Sequence, residues 1–129
     1  MGPFHWKDDV IYDELRNVTP SPAVAVEKGD CAVRQDCAGF WVTDLAASEA
    51  GTFIYRCRQV RANKRTGTGE AILAGDRLYF IVAEDVVSPT PSGTAGTDFY
   101  FVGWAKEDAG ADVADVLMNF DGTRYDQLV

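Results

Sequence analysis

The stretch Lys28-Gly29-Asp30-Cys31-Ala32-Val33 is echoed later by Ala74-Gly75-Asp76-Arg77-Leu78-Tyr79, so a Gly-Asp turn launches an apolar run twice. Downstream of each, a second pair matches: Phe40-Trp41-Val42-Thr43-Asp44-Leu45-Ala46-Ala47-Ser48-Glu49-Ala50-Gly51 and Phe101-Val102-Gly103-Trp104-Ala105-Lys106-Glu107-Asp108-Ala109-Gly110. In both, a strand runs into an Ala- and acid-rich turn and then Gly, and another apolar strand follows. The spacing predicts two related β units closing on one core.

Working outward, short apolar runs alternate with polar residues and are broken by Gly, Asp, Ser or Pro, the punctuation of strands and turns. Strands are expected at 23–26, 30–34, 40–44, 52–61, 71–73, 77–82, 99–105 and 113–120. Many short strands suggest an all-β domain, a small barrel or sandwich. Residues 61–70 and 87–97 read as loops, the second as a flexible tip or extended connector because of its prolines. Residues 1–20 differ, with apolar residues scattered among charges and a Thr19-Pro20-Ser21-Pro22 boundary. They are expected to form an N-terminal arm ahead of a domain at 21–129, with up to two turns of helix over 8–16.

A length of 129 residues, 47% hydrophobic and 25% charged, suits one folded domain with a real core. No apolar run reaches membrane-spanning length, and the N-terminus lacks signal-peptide order, so synthesis in the cytoplasm is expected. The net charge of −8 argues against nucleic acid as a partner.

Catalytic chemistry is hard to assemble from these residues. His5, the only histidine, lies in the arm, which disfavours a nucleophile–histidine triad. Cys31, Cys37 and Cys57 have no CxxC spacing and read as reduced core residues. No EF-hand loop or Walker phosphate loop is present, and no cofactor is expected. One basic cluster interrupts the acidic chain: Arg56, Arg58, Arg61, Lys64 and Arg65, five of twelve basic residues. It reads either as a charge-protected edge strand or as a patch docking on an acidic protein surface, with Tyr55 and Cys57 turned to the core.

Gly29-Asp30, Thr43-Asp44-Leu45-Ala46-Ala47-Ser48-Glu49, Ala74-Gly75-Asp76-Arg77-Leu78-Tyr79 and Val102-Gly103-Trp104-Ala105, in this order over residues 23–120, resemble the small head-decoration (capsid-fibre) proteins of tailed phages. Trp104, the insertion around 89–96 and the charged arm depart from the family pattern. The resemblance implies a β-barrel or tulip-like domain, no catalytic residue, and binding to the major capsid protein on the outside of the virion. It also implies self-association, as a homotrimer or, alternatively, a dimer. Contacts with the coat or an adjacent copy are expected from Phe4, Trp6, Ile11 and Tyr12 of the arm and from Arg56, Arg58, Arg61, Lys64 and Arg65. The alternatives are a carbohydrate-binding β module using exposed aromatics beside the 87–97 loop and, last, a hydrolase with a carboxylate pair.

Overall fold

Aromatic and β-branched residues alternating with polar ones favour a pleated, half-buried surface, and strands form where they cluster. The computed structural model describes residues 2–5, 11–18, 24–34, 37–49 and 51–124, with 11–18, 34, 53 and 124 described by backbone alone. Among them the strands are β1 (Phe4–His5), β2 (Ile11–Val18), β3 (Cys31–Arg34), β4 (Cys37–Trp41), β5 (Gly51–Asn63), β6 (Arg77–Ile81), β7 (Val86–Ser88), β8 (Phe99–Ala105) and β9 (Asp115–Asp121). A single 3₁₀ turn, Gly122–Arg124, follows.

The fold is all-β, as expected, in one curled antiparallel sheet of order β3-β4-β5-β9-β8-β6-β7. That order is nearly palindromic. β3, β4 and β5 of the first unit correspond to β6, β8 and β9 of the second, and the units join through the antiparallel β5–β9 pair, with Val60 opposite Met118. β1 and β2 also pair with the long β5. The curl is completed where Lys64, just past β5, makes a parallel bridge to Val87 of β7 and the Arg65 N–H donates to the Val87 carbonyl (2.9 Å).

The duplication is visible bond by bond at the two corners. In the first, Val26 and Leu45 exchange N–H···O bonds (both 3.0 Å), and in the second Ile72 and Ala109 do the same (2.8 and 2.9 Å). The Lys28 N–H donates to Asp44 Oδ1 and the Ala74 N–H to Asp108 Oδ1, each at 2.8 Å. Asp30 and Asp76 each accept from the backbone N–H three residues earlier, Glu27 and Leu73, at 2.9 Å. Gly29 and Gly75 sit at φ of 91° and 92°, the left-handed region that favours glycine in both turns. The structural register pairs Phe40 with Trp104 and Trp41 with Ala105, so the echo read as starting at Phe40 and Phe101 shifts by three residues. Because the two corners make the same bonds, Asp44→Ala and Asp108→Ala should each lower stability by about 1 kcal/mol, read by urea unfolding. A large inequality would mean that the corners are not energetically equivalent.

Several expectations need correction. Residues 11–18 form a strand rather than a helix, because β5 offers a sheet edge and two isolated helical turns are marginal; residues 8–10 lie outside the described residues. The strand expected at 40–44 is Cys37–Trp41, since Asp44 is taken by the corner. Val26 and Ile72 make single bridges only. The first two residues of the stretch read as a loop, Val87 and Ser88, belong to β7. The remainder of that loop is tethered: the Ser88 and Thr90 hydroxyls donate to Glu70, and the Thr94 N–H donates to Asp98 Oδ2 (2.7 Å).

The core centres on Phe4, which stacks on Phe40 (ring centroids 5.2 Å) and meets Phe120 edge-on (5.1 Å) and Phe80 at a tilt (6.1 Å). Ile54, Cys57, Val60, Leu78, Val102, Val116 and Met118 surround these rings, all essentially inaccessible. A smaller cluster of Trp41 and Leu45, with Val26 and Tyr55 against it, packs separately.

Candidate docking surface

Strand β5 places the basic cluster, and its pleat divides it. Arg56 and Arg58 flank the buried Cys57 and are exposed. A register slip between Cys57 and Val60 resets the alternation, so that Val60, Ala62 and Lys64 point inward while Arg61 and Asn63 face outward. Lys64 is therefore buried (3% exposed), not part of a surface patch, and its ammonium donates to the carbonyls of Arg65 (2.8 Å) and Gly110 (3.2 Å). Burial lowers its proton affinity, against the opposing attraction of Glu70 and Asp112.

Arg61 and Arg65 are engaged within the chain. Arg61 reaches Glu107 (3.2 Å) and Asp115 (3.3 Å) in exposed pairs, each worth about 0–1 kcal/mol. The Arg65 Nε donates to Glu84 (2.6 Å), with its Nη1 3.9 Å from Glu70. Glu70 is nearly inaccessible and accepts from Ser88 Oγ (2.6 Å) and Thr90 Oγ1 (2.5 Å), which pins the 88–90 segment to the 67–70 turn. Of the five basic residues, Arg56 and Arg58 are exposed on the outward face of β5.

The arm residues divide as well. Phe4 is enclosed at the centre of the core, so its side chain is not available to a partner; the reason is the seating of residues 2–5 against β5 and the first corner. Trp6 lies outside the described residues, and for Ile11 and Tyr12 the backbone alone is described, paired with β5. His5 Nε2 lies 3.2 Å from Asn63 Oδ1.

Near the start of β3, Cys31 Sγ meets the Tyr100 hydroxyl at 3.2 Å. The residue keeps partial exposure but its sulfur is enclosed; burial, with smaller effects from Asp85 and Asp30, pushes the thiol up to about 12 although the Tyr100 contact favours the thiolate. Burial also pushes the Tyr100 hydroxyl well above its ordinary value. The contact forms a seam between β3 and β8.

Outside the core, Tyr79 meets Phe99 (5.7 Å) and Phe101 (6.1 Å), and Phe101 meets Trp104 (4.9 Å), all edge-on. Phe99 and Phe101 are buried and Tyr79 and Trp104 half-buried, so the rings are largely spent on each other. Among the described residues no group of three or more His, Cys, Asp or Glu is placed to hold a metal ion, and no helix is long and apolar enough to cross a membrane.

The largest exposed apolar side chains include Leu73 (64%) and Val113 (46%) at the second corner. Their counterparts at the first corner are Glu27 and Glu49, also exposed, with Glu49 matched to Val113 by the N–H bonds each makes to the residue three before it (Ala46 and Gly110). Residue types taken singly do not show this asymmetry; the echo contains it as a difference between its two copies. No protein-family model matches the chain, and no curated protein matches it.

Proposed function

We propose that this protein is a non-catalytic structural component that binds the major capsid protein on the outer surface of a tailed-phage virion and cements the shell. The observation that carries the reading is the use made of the residues resembling the head-decoration family. Gly29, Asp30, Asp44, Gly75 and Asp76 all build the doubled corner, with their carboxylates committed to backbone N–H groups. A motif spent on scaffold suits a protein whose work is to present surface. Each copy then adds contacts that exist only on the assembled shell, and many modest contacts give a stable particle.

This reading assigns Arg56 and Arg58, exposed on β5, to coat carboxylates, and self-association as a trimer belongs to the same reading. The test is to mix the purified protein with undecorated capsids of its source and to measure occupancy by cryo-electron microscopy. Ordered density at symmetric outer sites is expected, with Arg56→Glu/Arg58→Glu lowering occupancy about tenfold or more at low salt and less steeply at high salt. Bare shells with the parent protein would refute the assignment.

A further inference from the structure

The two corners are built alike but finished differently. At the first, the N-terminal segment is seated on the turn: the Gly2 N–H donates to the Lys28 carbonyl (2.8 Å) and the Phe4 N–H to the Gly29 carbonyl (3.2 Å). The seating is close enough that any side chain at Gly29 would collide with the Phe4 carbonyl. At the second corner the turn has the same internal bonds and the same φ at Gly75, yet among the described residues, its chain neighbours aside, no atom lies within 4 Å of the place a side chain would take there. Among the described residues nothing donates to the Ala74 and Gly75 carbonyls, the counterparts of those taken by Gly2 and Phe4.

The surface beside that turn is also different in kind. Ile72 and Ala109 exchange both backbone bonds, so Ala71 and Leu73 face away from Ile72, on the side shared with residue 110. Val113 lies over that same side, its Cγ2 3.8 Å from where a Gly110 Cβ would stand. Ala71, Leu73 and Val113 are thus exposed apolar residues of a corner whose Ala74 and Gly75 carbonyls no described residue uses, with Glu107, Asp108 and Asp112 nearby in sequence. The corresponding first-corner residues are Ala25, Glu27 and Glu49.

We infer that the second corner, residues 71–76 with Val113, is the seat for an extended segment of a coat subunit. That segment donates backbone N–H groups to the Ala74 and Gly75 carbonyls, as Gly2 and Phe4 do in the first unit, and lays apolar side chains on Leu73 and Val113. This rests on the decoration reading and names the coat-binding element within it. The occupied first corner is the precedent for an extended occupant. A second copy of this chain is disfavoured at this corner because its matching segment, with Phe4, is locked in its own core. A coat segment carrying Lys or Arg beside its apolar residues complements the acidic surroundings.

Leu73→Glu/Val113→Glu gives the second corner the residues of the first, positions at which this fold already carries glutamate, so thermal stability should hold. On undecorated capsids, occupancy of the double variant is expected to fall about tenfold or more below the parent. Should the double variant be unstable, Leu73→Ser trims one exposed side chain and gives the same readout with a smaller loss. In a reconstruction with the parent protein, coat backbone density should run along 73–75. Parent-level binding by the folded variants, or coat density absent from this corner, overturns the inference while leaving the decoration reading standing; parent protein that binds no capsid overturns both.

Discussion

Phe4→Ala is expected to cost about 3–5 kcal/mol of unfolding free energy, the loss typical of a large aromatic removed from a packed core. The ring is fully enclosed and touches Phe40, Phe80 and Phe120, side chains from three strands of both units, so no single neighbour can collapse into the space. Urea unfolding of the isolated protein checks this, and a loss under about 1 kcal/mol would mean that the N-terminal segment does not pack there in solution. Truncations of residues 1–5 should therefore unfold the protein, and on the proposed reading they would lower capsid occupancy for that reason. That effect is separable from the loss of a contact by measuring stability first.

Glu70→Ala should be the next largest, about 3 kcal/mol. It strips two hydroxyls of a charged acceptor, each such bond being worth roughly 1.5–3 kcal/mol, and leaves the buried Lys64 ammonium without its nearby carboxylate. Glu70→Gln keeps an acceptor and should cost less. The pH dependence supplies a second check. Burial holds the Lys64 proton affinity below its ordinary 10.5, so between the lowered folded value and 10.5 the unfolded chain binds more protons and stability rises with pH. Losing Glu70 lowers the folded value further. The alanine variant should then recover part of its deficit as pH climbs toward 10.5, and a deficit independent of pH would show that Lys64 is not coupled to Glu70.

The readable parts of this chain were those written locally. The Gly-Asp turns, the strands they launch and the paired units are set by residues within a few positions of each other, and the structure repeats them bond for bond. Arg56 and Arg58 were readable as outward because they flank the apolar Cys57. Lys64 was not, because a register slip between Cys57 and Val60 changes which side of the strand later residues occupy, and that slip answers to pairing with β9. Strand β2 was hidden for a similar reason: its partner, β5, lies some forty residues away, and nothing near Ile11 announces it. Phe4 reads as an arm residue because a charged stretch, from Lys7 to Asp9, follows it, while the rings that hold it come from β4, β6 and β9. The open second corner is a difference between two copies, visible only when the copies are compared.

The aromatic centre also governs when this protein can fold during synthesis. Phe4 is made before the rings that hold it, Phe40, then Phe80, then Phe120, and β5 cannot complete its pairing before β9 exists. Until then the growing polypeptide holds an unburied aromatic segment and an unfinished sheet. Closing such distant contacts is slow, since the loop entropy is spent before the contacts form. Assembly into the native state therefore follows translation of β9, and the net charge of −8 favours solubility of the chain in the meantime.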